Sequence, residues 1–207
     1  MHSDLAEFLA DIEKRRWLTR VSASVSPDLE IAAVTDRACK SPNGGPALLF
    51  EKPTGFDIPV ASNVFGSLDR MCLALGVARL DDLATEIDEL MTPPQPKGIL
   101  DALKLAPMVS RLADLMPKTV KDAPCQEVVD RNGSLDSLPI LKCWPEDGGR
   151  FITLPLVFTK DPESGVRNIG TYRMQVFDGR TTGMHWQRHK GGAQHYRVAE
   201  RLGKRLE

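Results

Sequence analysis

Residues 167–196 read RNIGTYRMQVFDGRTTGMHWQRHKGGAQHY and hold three of the four histidines and both tyrosines of the chain. Arg173 stands in the middle of an alternating segment. Strand alternation puts Thr171, Arg173, Gln175 and Phe177 on one face and Tyr172, Met174 and Val176 on the other, the core face. An arginine on a mostly polar strand face needs an anionic partner or water, because burying it unpaired is very costly. Its flat fork suits a carboxylate or a phosphate. Two readings stay open: a surface ion pair, or a ligand contact.

Asn168 heads the same segment. Its amide oxygen could serve a hard divalent cation, while an asparagine after a loop also reads as a turn residue. His185, His189 and His195 invite a zinc site. There is no HExxH pattern and no cysteine at metal spacing, so surface or hydrogen-bonded histidines are the better reading. Lys190-Gly191-Gly192 precedes a helix start. Glycines allow close backbone approach to a phosphate, and a helix N-terminus adds N–H donors and a positive dipole end. Such a stretch is also an ordinary turn, and neither a Walker A motif nor a GxGxxG fingerprint occurs in the chain. Trp186 is either a core residue or a platform for a flat ring. Together these residues suit a phosphorylated, aromatic, metal-bridged ligand, and residue chemistry alone does not name a reaction.

The positioning elements follow from periodicity and turn chemistry. Leu5, Phe8, Leu9 and Ile12 predict a helix over 4–15, with Ser3 as its N-cap. LTRVSASV (18–25) alternates as a strand. Ser26-Pro27 opens a helix running to about Lys40, with Ser as cap and Pro at the first helical position. Strands are expected over 46–51 and 58–63, and helices from Ser67 to Gly76 and over 80–91. Residues 92–124 form a proline-containing connector with short helical pieces at 99–105 and 108–115. Strands then follow at 153–159, 168–177 and 184–188, with a helix from Gly192 or Ala193. The fold class is α+β, in three parts: an α/β domain over 1–91, the connector over 92–124, and antiparallel β-structure over 125–207. Three strands cannot close a barrel, so a fragment, or a chain completed by a partner, is expected.

Bulk properties exclude several classes. A net charge of −1 gives no broad basic field for nucleic acid. The 42% hydrophobic and 27% charged residues are an ordinary globular balance that needs no disulfide or metal staple. Cys39, Cys72, Cys125 and Cys143 lack CxxC spacing and read as reduced thiols, mostly packing residues, of a cytoplasmic protein. The N-terminus is not a targeting peptide and no apolar run reaches spanning length. Peripheral contact with the inner membrane is compatible with the sequence.

The stretch CWPEDGGRFITLPLVFTKDPESGVRNIGTYRMQVFDGRTTGMHWQRHKGGAQHY resembles the central signature of the UbiD-type decarboxylases. GGPALLFEKPTGFDIPVASNVFGSLDRMCLALGV and APCQEVV resemble family segments too, so the likeness covers nearly the whole chain. It implies reversible, non-oxidative decarboxylation of an aromatic or α,β-unsaturated acid. The expected cofactors are prenylated FMN and a divalent metal, usually Mn2+, that bridges its phosphate to the protein. The implied fold is an N-terminal α/β domain followed by the first part of an antiparallel, flavin-binding split β-barrel, with a C-terminal oligomerisation domain in complete members.

By position, the resemblance makes Asn168 the metal ligand. Thr171, Tyr172, Arg173, His185, Trp186, Gln187, Lys190 and Gly191 become cofactor-binding residues, and Arg173 also the catalytic residue beside the substrate carboxylate. Expected partners are a small aromatic acid, a flavin prenyltransferase as cofactor supplier, and further copies of the full-length chain; no nucleic acid is expected. Known members act in ubiquinone or menaquinone biosynthesis, which implies a polyprenylated hydroxybenzoate- or naphthoate-type substrate. His185-Trp186 replaces the Arg-Trp of many ubiquinone-branch members and HKGG replaces HRGG, wording closer to the menaquinone branch. The family's catalytic glutamates, second metal carboxylate and proton donor are expected beyond Glu207, making this chain a partial, inactive fragment. The alternative is a non-catalytic flavin- or phosphate-binding subunit of a multi-chain carboxylase.

Overall fold

The computed structural model describes residues 2–92, 98, 108, 110, 113, 116 and 118–207. The chain divides into two units, one of residues 1–8 and 68–132 and the other of residues 9–67 and 133–207. Helix α1 (Leu5–Lys14) runs from the first into the second. Its apolar spacing buries Phe8 and Ile12, as the i, i+4 pattern requires. Asp4, not Ser3, caps it. Asp4 Oδ1 accepts from the Glu7 N–H at 2.8 Å, while the Ser3 N–H and hydroxyl both donate to the Glu7 carboxylate. The side chain one residue nearer the helix reaches the N–H of the third helical residue directly, and Ser3 is left to close the reciprocal bond.

The smaller unit contains α3 (Leu68–Leu75) and α4 (Leu80–Met91). Both lie where periodicity predicts them. Gly76, at φ +69°, ends α3 in the left-handed conformation that glycine adopts without steric cost. The Asp82 carboxylate accepts from the Arg79 N–H at the start of α4. The expected helical pieces at 99–105 and 108–115 lie outside the described residues or are described only at isolated positions.

The larger unit holds the eight strands found among the described residues. β1 (Leu18–Val25) and β2 (Ala47–Pro53) pair in parallel across α2 (Glu30–Cys39), and β3 (Val60–Ser62) adds antiparallel to β2. Ile31, Leu48 and Phe50 form the buried centre, packed by Val21, Val25, Ala38, Val60 and Leu141. Helix α2 begins three residues later than Ser26-Pro27 predicts. Asp28 forms a parallel bridge with Lys142, the Leu29 N–H donates to the Lys142 carbonyl, and the Lys142 N–H donates to the Pro27 carbonyl. This pairing with a distant segment holds Pro27–Leu29 out of the helix, with Leu29 at φ +68°. The Ser26 hydroxyl accepts from the Asp28 N–H and so shapes a turn.

The remaining strands form two separate sets. β5 (Leu156–Lys160) and β6 (Arg167–Thr171) make an antiparallel hairpin. β4 (Phe151–Ile152), β7 (Met174–Val176) and β8 (Thr182–Met184) make a three-stranded sheet in the order β4-β7-β8. The single strand expected over 168–177 is therefore two strands in two sheets, broken at Tyr172 and Arg173. The backbone acceptors at the break are satisfied elsewhere: Lys190 Nζ donates to the Thr171 carbonyl at 3.0 Å, and the His185 N–H donates to the Arg173 carbonyl at 2.9 Å. The strand expected over 184–188 ends at Met184, leaving His185 just past the ladder. The strand expected over 153–159 begins only at Leu156, and the short β4 occupies the end of what reads as a loop. Helix α5 (Gly191–Arg201) closes the described chain. The architecture is α+β, with no closed barrel among the described residues.

The four cysteines are free thiols. Cys39 and Cys125 are exposed instead of packed, because each falls at or near the end of a short helix facing solvent. No helix among the described residues is long and apolar enough to cross a membrane.

Candidate functional site

The inner face of the β5–β6 hairpin carries Thr159 and Asn168, which are cross-strand partners, and α5 packs against both strands. Helix α5 can approach because its buried positions are small: Gly192, Ala193 and Ala199, with His195 the one larger side chain. A Cβ at Gly192 would lie 2.7 Å from both Tyr172 Oη and Trp186 Cζ3. One at Gly170 would lie 2.5 Å from the Tyr172 ring. Tyr172, only 3% exposed, is therefore sandwiched between two glycines. Its hydroxyl accepts from the Gly192 N–H at 2.8 Å and from Asn168 Nδ2 at 3.3 Å. One first-turn N–H of α5, unsatisfied within its own helix, thus finds a buried partner.

The break between β6 and β7 opens a concavity of about 380 Å³ lined by Thr153, Thr171, Tyr172, Arg173, His185, Gln187 and Lys190. Six of the residues singled out from the sequence meet there. Arg173 is half-buried. Its Nη2 donates to Asp147 Oδ2 at 3.3 Å, and its guanidinium carbon lies 3.8 Å from the centre of the Phe151 ring. Asp147, whose side chain is 14% exposed, also accepts from the Trp144 N–H. The surface ion pair and the ligand contact, both open from sequence, are compatible here: the guanidinium is tethered at one nitrogen and still lines the cavity. Its five N–H donors exceed what one carboxylate contact uses. Lys190 lies 5.1 Å from the Tyr172 ring centroid while its ammonium holds the Thr171 carbonyl, so a positive charge stands at the cavity wall beside the start of α5.

Three sequence-derived residues stand outside the lining. Trp186 is half-buried behind Tyr172, with ring centroids 5.3 Å apart edge-on, and it stacks on Tyr196 at 5.7 Å. Gly191 and Asn168 meet at the helix start, where a Cβ on Gly191 would come within 2.5 Å of Asn168 Oδ1. Among the described residues the Asn168 carboxamide is hydrogen-bonded through its nitrogen, to Thr159 Oγ1 and Tyr172 Oη. His189 is exposed, and His195 is buried against Thr159 at 3.0 Å, so the three histidines do not converge. Among the described residues no group of three or more His, Cys, Asp or Glu could hold a metal ion.

Sequence reasoning missed Thr153, Asp147, Phe151 and Thr159. Asp147 lies 26 residues from the arginine that it tethers, within a stretch that reads as a loop, and Thr159 lies 36 residues from His195. The one available signal was WPEDGG. An acidic residue before paired glycines marks a turn able to bring a carboxylate back onto a strand.

Two family models match the chain. One describes the 3-octaprenyl-4-hydroxybenzoate carboxy-lyase N-terminal domain and covers residues 9–90. The other describes the Rift-related domain of the same carboxy-lyase and covers residues 118–207. An uncharacterised protein of Aquifex aeolicus is 49% identical over the whole chain, which spans 43% of that relative. Among solved structures, the UbiD-class enzyme HmfF from Pelotomaculum thermopropionicum, an evolved dimeric form in complex with prFMN, superposes with a TM-score of 0.79 at 27% identity. That match covers 99% of this chain and 43% of HmfF. The closed form of the vanillic acid decarboxylase of Sedimentibacter hydroxybenzoicus gives a TM-score of 0.77 at 30% identity, over 100% of this chain and 42% of that one. The chain thus spans less than half the length of the proteins it matches, and within that span it carries both UbiD domain models. It belongs to the UbiD family.

Proposed function

We propose that this chain supplies the cofactor-binding part, and the carboxylate-orienting arginine, of a reversible non-oxidative decarboxylase of aromatic acids. The carrying observation is the cavity in which Thr171, Tyr172, Arg173, His185, Gln187 and Lys190 converge. The residues fit a phosphorylated flavin. Glycines at 191 and 192 let Asn168, Tyr172 and Trp186 pack directly against the start of α5, Lys190 adds a cation, and Tyr172 provides a buried wall. From this chain the Asn168 amide oxygen, a hard donor, would hold a divalent cation that offsets the phosphate charge. The HmfF structure in complex with prFMN supports prenylated FMN as the cofactor.

When bound, prenylated FMN supplies the electron sink for carbon–carbon cleavage. The protein's own residues position and polarise. Arg173, held by Asp147 and seated on Phe151, presents its remaining N–H donors to a carboxylate and fixes its orientation. Lys190 and the first turn of α5 favour the dianionic phosphate end. An aromatic substrate of hydroxybenzoate or naphthoate type in quinone biosynthesis belongs to the same proposal. So do Mn2+ as the metal, a flavin prenyltransferase as supplier, and the division at residues 91 and 124.

The test is native mass spectrometry, with a visible absorption spectrum, on the chain co-expressed with a flavin prenyltransferase. Retained prenylated FMN is expected, and Lys190→Ala should weaken retention. A folded protein that carries no flavin would overturn the assignment of these residues as a cofactor site.

A further inference from the structure

Thr159 and His195 are buried polar residues, 5% and 7% exposed, and neither lines the cavity. They form a chain behind Asn168. Thr159 Oγ1 lies 3.0 Å from His195 Nδ1, and Asn168 Nδ2 donates to Thr159 Oγ1 at 3.4 Å. A second branch runs from Asn168 Nδ2 to Tyr172 Oη, which also takes the Gly192 N–H. Both acceptors of the Asn168 nitrogen are thus anchored, one by α5 through His195 and the other by the first turn of the same helix.

The proton count ties the direction of this chain to the tautomer of His195. A hydroxyl has one proton to give. With the Asn168 nitrogen inward, Thr159 Oγ1 accepts from Asn168, so its own proton goes to His195. His195 Nδ1 must then offer a lone pair, which places the imidazole proton on Nε2. The reverse order is also self-consistent. Nδ1–H would donate to Thr159, Thr159 would donate to the Asn168 oxygen, and the carboxamide would be turned round. That arrangement presents an NH2 group outward, where it repels a cation. The tautomer of one buried histidine therefore selects which end of the Asn168 carboxamide is available.

We propose that Thr159 and His195 are positioning residues that hold the Asn168 carboxamide with its nitrogen on the hairpin and its oxygen toward Gly191 at the start of α5, the end offered to a divalent cation. This rests on the reading of Asn168 as the metal donor. Losing such an outer partner costs roughly 10–100-fold in metal affinity.

Two readouts test it. Long-range 1H–15N correlation of the histidine rings should find His195 Nδ1 unprotonated and Nε2 protonated in the free protein; a proton on Nδ1 overturns the relay. Second, Mn2+ uptake is titrated by electron paramagnetic resonance with FMN present. Thr159→Val, similar in shape but without the hydroxyl, should bind Mn2+ at least tenfold more weakly with an unchanged far-UV circular dichroism spectrum, and Thr159→Ser should restore binding. Wild-type affinity in Thr159→Val, beside a loss in Asn168→Ala, overturns the relay and leaves the metal reading standing. No uptake by the wild-type chain, or unchanged uptake in Asn168→Ala, overturns the metal reading and the relay's purpose with it.

Discussion

The guanidinium carbon of Arg173 lies 3.8 Å from the centre of the Phe151 ring, and Phe151 is itself in β4, one strand across from the residue that follows the break. The ring and Asp147 Oδ2 hold the arginine from two directions. A cation over an aromatic face gains about 0.5–2 kcal/mol, more as water is excluded. The arginine is thus presented to the cavity at a fixed height, not left on a free side chain.

Arg173→Ala should therefore abolish carboxylate handling without emptying the site. In the full family-length protein, decarboxylation should fall by about a hundredfold or more, with most of the flavin retained. Arg173→Lys keeps the charge but loses the planar fork, and should rescue little. Normal turnover in either variant, measured by CO2 release, would sink the role given to Arg173.

Asp147→Asn probes the tether separately. The amide can still accept from Arg173 Nη2 and from the Trp144 N–H, so the loop should stay folded. The carboxylate charge is lost, and a larger share of the guanidinium charge becomes available to a ligand. Benzoate binding, followed by calorimetry, should tighten or hold. A loss of tenfold or more would mean that Asp147 acts on the ligand directly.

Much of the fold was legible because local rules and tertiary contacts agree there. Helices α1, α3 and α4 fall within a residue or two of their apolar periods, and the helix expected from Gly192 or Ala193 begins at Gly191, with Lys190 as its N-cap and both glycines inside its first turn. The polar face of Arg173 and the core side of Tyr172 and Val176 also follow from alternation alone. What alternation cannot say is which strand lies alongside. The segment 168–177 alternates without interruption, yet it changes sheet at Tyr172 and Arg173: Thr171 still pairs with Leu156 in the β5–β6 hairpin, and the Arg173 carbonyl already accepts from the His185 N–H, beside the β7–β8 ladder. The late start of α2 has the same origin, in a bridge from Asp28 to Lys142. Phe151 and Thr159 were hidden for the corresponding reason: their roles come from contacts across the fold, and their own neighbours in sequence carry no trace of them, while Asp147 had only the turn signal of WPEDGG.

The two glycines at the start of α5 should respond differently to a methyl group. At Gly192 a Cβ meets Tyr172 Oη and Trp186 Cζ3, both at 2.7 Å, and these rings are locked in an edge-on pair. Gly192→Ala should cost about 1–3 kcal/mol, the usual penalty for overpacking. At Gly191 the methyl meets the end of the Asn168 side chain, which can turn away. Gly191→Ala should stay within about 1 kcal/mol of wild type in urea melts while losing Mn2+ uptake. Equal destabilisation of the two variants would contradict this division.

Tyr172→Phe removes one oxygen and leaves the ring. The Gly192 N–H then has no partner within a buried helix start, and Asn168 Nδ2 loses one of its two acceptors. An unsatisfied buried donor costs about 1–3 kcal/mol. Urea unfolding should show a loss of that size with an unchanged m-value. A neutral substitution would mean that water reaches the first turn of α5.

Acid should loosen the turn between β7 and β8 and the loop between β5 and β6. The Thr181 hydroxyl, followed by the Arg180 and Thr181 N–H groups, holds the Asp178 carboxyl below the ordinary aspartate range. The Ser164 hydroxyl and the Glu163 N–H do the same for Asp161 in the β5–β6 loop. A depressed folded-state pKa contributes stability that is fully present above the unfolded value, about 3.9 for aspartate, and is lost as pH falls through the folded value. Both groups are solvent-exposed, so each contribution is small. The stability of the wild type should be flat with respect to these groups from neutral pH to about pH 5 and decline below about pH 4. Asp178→Asn keeps an acceptor but cannot titrate, so its stability curve should lie slightly lower at neutral pH and converge with wild type in acid. Divergence of the two curves as pH falls would reverse the sign argued here and remove Asp178 as a source of acid sensitivity.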